Sequence, residues 1–131
     1  MITEKIFKKI IQTQIALIIT TFVLVAFETE IYPLVDEDLS FTFSDSIHLL
    51  WAIGYITSIS LLYKFKSIGK KLYVIILILG LVMALLQNED FFIVEYTLFT
   101  PFIYAVESLI FMVDGIILAS LFLTTLKEKF S

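Results

Sequence analysis

Two acidic residues in the last apolar stretch, Glu107 and Asp114, are the strongest candidates for chemistry in this sequence. They are seven residues apart and therefore project from one face of a helix. The same stripe carries Tyr104, Phe111, Leu118 and Thr125. An ionised carboxyl group deep in a membrane costs about 3 kcal/mol or more. We therefore expect both acids to face the interior of a bundle or a wet cavity, or to be protonated.

Two interpretations of these acids remain open. They form a relay for protons or cations, or a polar ligand pocket, with Tyr104, Tyr55 and Ser58 as further polar members of the site. Alternatively they are structural, and hydrogen bonds to side chains on neighbouring helices hold the bundle together. The candidate partners are Thr20, Thr21, Tyr55, Thr57 and Ser58.

A second polar cluster lies in the second apolar stretch. His48 follows Asp45 by three residues, so a contact between the two is geometrically available on a helix. Trp51 lies a further three residues on. If this face meets Glu107, then Asp45, His48 and Trp51 form an outer vestibule. Otherwise His48 is an interfacial residue in a belt of aromatic side chains.

Several kinds of chemistry are excluded or disfavoured by composition. The chain has no cysteine and a single histidine, so disulfides, thiolate metal sites and histidine pairs within one chain are impossible. The acidic triplet 36–38 lacks the spacing and glycine of a calcium loop. No phosphate-binding loop, hydrolase motif or nucleic-acid surface is recognisable. We predict no catalytic residue, no metal, no cofactor and no nucleic-acid partner.

The elements that position these residues are four long apolar segments. With 131 residues, 60% apolar residues and a mean hydropathy of +1.00, the chain has too few polar residues to cover a soluble domain. About 20 apolar residues in a helix cross a bilayer, and about 17 are tolerated. The sequence predicts one all-α transmembrane domain over 1–131, an integral membrane four-helix bundle. The predicted spans are 10–27, 47–63, 72–86 and 102–126.

The lysines predict the orientation of these spans. All nine basic residues are lysines and fall at the N-terminus, in the second connection or at the C-terminus. Four spans place these three regions on one side, which the positive-inside rule makes the cytoplasm. The exterior loops, 28–46 and 87–101, are acidic and lysine-free, and the cytoplasmic loop is 64–71. The absence of arginine with abundant Ile and Phe favours the inner, cytoplasmic membrane of a prokaryote.

The first segment could instead be a signal peptide, because lysines precede it. The positions around Ala26 lack the small residue that cleavage needs, which favours a membrane span. Local signals also predict helix ends. Ser44 with Asp45 suits the start of the second helix, and Gly69 suits its exit. Thr100 and Pro101 suit the N-cap and first turn of the fourth helix.

Pairs of small residues four apart allow close helix approach, either within the bundle or between protomers. They are Gly54 with Ser58, Gly80 with Ala84, and Gly115 with Ala119.

The leading functional hypothesis is a small non-enzymatic membrane protein that acts through helix contacts. It would be an accessory or assembly subunit of a membrane complex, or a homo-oligomer, with the lipid bilayer as its surroundings. The alternative is a channel or carrier for protons, cations or a small polar solute that uses Glu107 and Asp114. A second alternative is an intramembrane enzyme or ligand sensor that uses the same acids with Tyr55 and His48.

Overall fold

The computed structural model describes residues 2–31, 43–86 and 98–130, and their regular structure is entirely helical. Four of these helices are each long and apolar enough to cross a membrane. The prediction of an all-helical chain with four such helices is confirmed. The elements are α1 (Glu4–Ile31), α2 (Phe43–Tyr63), α3 (Ser67–Leu86), α4 (Thr100–Leu123) and a C-terminal 3₁₀ helix (Thr125–Phe130).

Helix α1 begins at a threonine cap. The backbone amide of Ile6 donates to Thr3 Oγ1 at 3.3 Å, and the amide of Phe7 donates to the Thr3 carbonyl at 2.9 Å. The first bond satisfies an amide that has no backbone acceptor in the first turn of a helix, and the second is the first regular backbone bond of α1. Glu4 lies in this first turn, where a negative charge interacts favourably with the helix dipole.

Helices α2 and α3 are joined by a tight turn. Phe65 adopts a left-handed conformation, with φ of 53°. Its amide donates to the Leu62 carbonyl at 2.9 Å, and the amide of Lys66 donates to the Leu61 carbonyl at 3.0 Å. This pair of bonds is the Schellman arrangement, in which a left-handed residue follows the helix end.

Gly69 is therefore not the exit residue of α2, and that expectation is wrong. It lies in the first turn of α3 and is buried. A Cβ added to Gly69 would lie 2.9 Å from both the Leu61 carbonyl carbon and the Leu62 backbone nitrogen. Glycine is needed here because the backbone of α3 approaches that of α2 directly.

Helix α4 begins one residue earlier than expected. Phe99 holds the N-cap position without a side-chain cap, and Pro101 lies within the first two positions of the helix. Thr100 is already inside the helix, and its hydroxyl donates to Glu28 Oε1 over a long 3.5 Å. The helix ends at Leu123, after which Thr124 is extended.

The helices group into two compact units. In one unit α1 packs against α4. In the other, α2 packs against α3, and the C-terminal 3₁₀ helix contacts α3. Contacts between the start of one helix and the end of its partner make both pairs antiparallel.

All four long helices expose large apolar side chains. Phe22 of α1 is 62% exposed, Leu50 of α2 69%, Leu81 of α3 62% and Phe111 of α4 74%. Water would solvate such surfaces poorly, whereas lipid chains would cover them.

Several predicted features lie outside the described residues. They are the acidic triplet 36–38 and most of the two exterior loops, 28–46 and 87–101.

Candidate functional site

The centre of the site is a hydrogen bond between α1 and α4. Gln14 Nε2 donates to Asp114 Oδ1 at 2.9 Å and to the Ile110 carbonyl at 3.2 Å. Gln14 is fully buried, and Asp114 is 6% exposed. A single glutamine amide therefore bonds to both the side chain and the backbone of α4. Because the bond is made to a carboxyl group in a place shielded from solvent, it is stronger than the same bond would be at a surface.

Two polar contacts define the register of α1 against α4. From Gln14 to Glu28 the chain advances 14 residues along α1, and from Asp114 to Thr100 it goes back 14 residues along α4. The two helices thus keep the same register over about four turns. Residues halfway between the two contacts, Thr21 and Glu107, are set opposite each other by this register.

The same register pairs the most buried apolar residues. Phe7 lies seven residues before Gln14 and Leu121 seven residues after Asp114, so the register sets these two opposite each other. It also sets Ile11 opposite Ile117. All four are 0% exposed. We call the paired positions the α1–α4 seam. Its polar pairs are Gln14 with Asp114, Thr21 with Glu107, and Glu28 with Thr100, and its apolar pairs are Phe7 with Leu121 and Ile11 with Ile117.

Only part of the predicted acidic stripe of α4 is buried. Asp114 is buried and Glu107 is half-buried, as the seam requires. Tyr104 is 42% exposed and Phe111 is 74% exposed. Those two positions lie on the edge of the helix that turns away from α1, so Tyr104 is not enclosed with the acids.

Four of the five hydroxyl groups expected to hold the acids donate to carbonyls of their own helices. Thr20 Oγ1 donates to the Ala16 carbonyl at 2.9 Å and Thr21 Oγ1 to the Leu17 carbonyl at 3.2 Å. Thr57 Oγ1 and Ser58 Oγ each donate at 2.7 Å to a carbonyl of α2. A hydroxyl on an apolar helix satisfies its donor locally in this way. Thr21 still lies opposite Glu107 in the seam.

Helix α2 packs against α3 through aromatic side chains. Trp51 Nε1 donates to the Ile76 carbonyl at 2.8 Å. The Trp51 ring stacks on Tyr55 with centroids 5.3 Å apart, and Tyr55 stacks on Tyr73 with centroids 6.1 Å apart. Tyr55 and Ser58 of α2, both predicted members of the polar site, are buried. Trp51 thus packs α2 onto α3.

The predicted small-residue pairs differ in what lies beside them. A Cβ at Gly80 would lie 2.9 Å from Trp51 Nε1, and one at Gly54 would lie 2.6 Å from Ile76 Cδ1. Both glycines therefore admit a side chain from the partner helix. Around Gly115 no such atom lies within 4 Å among the described residues. Ala84 and Ala119 are exposed.

The predicted vestibule stays a prediction. His48 is half-buried one turn before Trp51 on α2, and the Asp45 side chain lies outside the described residues. In the described ranges, no three His, Asp or Glu side chains are grouped so that they could hold a metal ion.

Comparison of the chain with protein-family models, curated proteins and solved structures found no match. The arrangement of its own residues is therefore what any functional conclusion depends on.

Sequence reasoning missed Gln14. The signal was present, because Gln12 and Gln14 are amide side chains at the start of an otherwise apolar stretch. Amide side chains in such helices often make hydrogen bonds to neighbouring helices. Only Gln14 is buried, whereas Gln12 is exposed.

Proposed function

We propose that this chain is a multi-pass membrane protein, without catalytic activity, that acts through helix contacts as an assembly subunit or a homo-oligomer. One observation carries the proposal: the buried acid of α4, Asp114, is bonded to Gln14 of α1. Its carboxyl group is thereby engaged in joining two helices. Most of the hydroxyl groups described above bond to the backbone of their own helices, as expected for structural polar groups in an apolar setting.

Membrane insertion is supported by the exposed apolar side chains and by the lysine distribution. We propose that the four helices form one bundle with both termini in the cytoplasm of a prokaryote. Because the chain has no cysteine, single cysteines report the topology directly. In sealed right-side-out vesicles, an impermeant maleimide should label Glu37→Cys and spare Lys66→Cys. Labelling of Lys66→Cys from outside would refute the orientation.

The surface proposed for partner contacts is an exposed stripe of α4. Met112, Gly115, Ala119 and Leu123 recur at helical spacing and are all exposed. Two small residues at the centre of the stripe allow another helix to approach closely. Gly115 suits a test because no neighbouring atom of the described residues lies within 4 Å of a Cβ added there.

The experiment compares Gly115→Ile with Ala105→Ile, an exposed position about 15 Å of helix rise before Gly115 and outside the length of the stripe. Mass measurement in mild detergent gives the oligomeric state, and purification from native membranes reports co-purifying subunits. We expect Gly115→Ile to shift the protein toward the monomer or to lose the partner, while Ala105→Ile behaves like the parent. A parent protein that is monomeric and partnerless at every concentration would refute the proposal.

A second candidate function is a pathway for protons or cations. The observation that favours it is the recurrence of acids along the α1–α4 seam, where Asp114, Glu107 and Glu28 occupy successive polar pairs. By helix rise these pairs are about 10 Å apart. Carboxyl groups in such a row are the usual components of proton relays in membranes.

Flux measurements in liposomes separate the two functions. Under the pathway hypothesis, Glu107→Gln lowers proton or cation flux by at least about tenfold, as expected when a relay group is removed. Ser108→Ala serves as the control, because Ser108 is exposed and its hydroxyl bonds to the Tyr104 carbonyl. Absence of flux in the parent protein, or equal flux in Glu107→Gln, would remove this candidate.

A further inference from the structure

The turn between α2 and α3 concentrates positive charge. Lys64, Lys66, Lys70 and Lys71 fall within eight residues, and the sequence from 46 to 86 contains no acidic residue. Lys64, Lys66 and Lys71 are exposed, and Lys70 is half-buried.

The backbone that carries these lysines is held in one conformation. Phe65 lies between Lys64 and Lys66 in the left-handed region, which is unfavourable for a residue with a side chain. Two amide hydrogen bonds, to the carbonyls of Leu61 and Leu62, close the turn. The side chains of Lys64 and Lys66 thus extend from a closed turn, one on either side of Phe65.

The C-terminal 3₁₀ helix brings a fifth lysine to the same place. The rings of Phe65 and Phe130 are in contact, with centroids 5.3 Å apart and planes inclined by 42°. Phe130 is 4% exposed, so its neighbour Lys129, which is exposed, is held beside the turn. Glu128 is the one acidic residue of this 3₁₀ helix. We call Lys64, Lys66, Lys70, Lys71 and Lys129 the turn patch.

We propose that the turn patch is a binding surface for the headgroups of anionic phospholipids. The inference rests on the proposed insertion of α2 and α3, because a short turn between two membrane-spanning helices must lie at the bilayer surface. Clustered lysines beside a membrane helix are attracted to anionic headgroups, and each adds to the binding. Because the turn is already ordered, little conformational freedom is lost when a headgroup binds.

The N-terminal lysines provide a matched comparison within the same chain. Lys5, Lys8 and Lys9 lie in the first turns of α1, close to Glu4 and on a single helix end. They carry the same charge as Lys64, Lys66 and Lys71 but lie along one helix and not on the two sides of a closed turn. Removal of three lysines from the turn patch should therefore weaken phospholipid binding more than removal of the three N-terminal lysines.

The test measures binding of a short-chain fluorescent phosphatidylglycerol to the detergent-solubilised protein by anisotropy, with the matching phosphatidylcholine as reference. The test variant carries Lys64→Gln, Lys66→Gln and Lys71→Gln. The control variant carries Lys5→Gln, Lys8→Gln and Lys9→Gln. We expect the test variant to bind phosphatidylglycerol about tenfold more weakly or worse, and the control to change by about twofold or less. Phe130→Ala, which releases Lys129 from the turn, should give an intermediate loss.

Three results would overturn the inference. They are equal binding of both lipids by the parent, equal losses in the two triple variants, and displacement of phosphatidylglycerol by inorganic phosphate at comparable concentration. The last would indicate a site for a free anion. If the triple variant loses helicity by circular dichroism, the single variants Lys64→Gln and Lys66→Gln replace it. If both single variants then bind phosphatidylglycerol as tightly as the parent does, that result counts against the inference. Resistance of the parent to carbonate extraction from vesicles tests insertion separately, so failure of the proposed function and failure of the lipid surface give different results.

Discussion

Gln14 and Asp114 lie 100 residues apart in the chain, yet the amide of the first donates to the carboxyl group of the second at 2.9 Å. Both side chains are buried. The bond joins the first long helix to the last. It also fixes where along α1 the acid of α4 lies, and from that position the remaining pairs of the seam follow.

The first prediction concerns the strength of this bond. Gln14→Leu and Asp114→Leu should each destabilise the protein, because each leaves the other polar side chain buried without this partner. In a double-mutant cycle we expect a coupling energy of about 0.6–1.7 kcal/mol, which runs from the average to the largest value for interhelical hydrogen bonds in membranes. Unfolding in mixed micelles with increasing dodecyl sulfate gives the free energies.

Ser108→Ala is the control for that cycle. Ser108 is on α4 but exposed, and its hydroxyl bonds to its own helix. It should therefore change stability by less than about 0.5 kcal/mol. Additive effects of the two leucine substitutions would show that the contact contributes nothing.

The second prediction concerns the register of the seam. Thr21→Cys combined with Glu107→Cys should form a disulfide under mild oxidation, because the register sets these positions opposite each other and the chain has no other cysteine. Phe22→Cys with Glu107→Cys is the matched control, since Phe22 is the next residue and is 62% exposed. Mobility on a non-reducing gel after protease cleavage in the α2–α3 turn reports the cross-link. Faster cross-linking of the Phe22 pair would mean that the register is different.

The third prediction ranks the glycines. Gly69→Ala should cost about 1–3 kcal/mol, because the added Cβ meets backbone atoms of α2 that cannot move without separating the helices. Gly80→Ala should cost less, since it meets the Trp51 side chain, which can shift. Gly115→Ala should be neutral or stabilising by up to about 1 kcal/mol, because alanine favours the helix and no atom of the described residues lies within 4 Å of the added Cβ. The same micelle unfolding assay orders the three, and a Gly115→Ala variant as unstable as Gly69→Ala would contradict the packing described.

The fourth prediction concerns the contact between Phe65 and Phe130. A cycle of Phe65→Ala and Phe130→Ala should yield a coupling energy of about 0.5–1.5 kcal/mol, as measured for aromatic pairs. Phe130→Ala should also make the C-terminus more susceptible to carboxypeptidase, because the ring contact holds the 3₁₀ helix against the turn. As a control, Phe122→Ala removes a phenylalanine from α4 that is 49% exposed. Unchanged digestion of Phe130→Ala would show that the 3₁₀ helix is held by other contacts.

The sequence by itself determined the number and type of the long helices among the described residues, but not the C-terminal 3₁₀ helix. Four apolar stretches of membrane-spanning length predicted four helices, because a helix satisfies its backbone hydrogen bonds within one segment and needs no information from the rest of the chain. Glu107 and Asp114 also stood out, since carboxyl groups are rare in such stretches. The helix ends were less predictable. The sequence suggests Gly69 as the residue that ends α2, whereas in the structure Phe65 ends that helix in a left-handed conformation.

Tertiary structure alone decided which face of each helix is buried and what it meets. In a helix that is apolar on every side, the lipid-facing and protein-facing surfaces look alike, so hydrophobic periodicity does not reveal the contact face. That is why the sequence groups Tyr104 with the acids although it is exposed, and why it does not distinguish the buried Gln14 from the exposed Gln12. The pairing of Gln14 with Asp114 depends on the packing of two helices at opposite ends of the chain, and no local pattern encodes it.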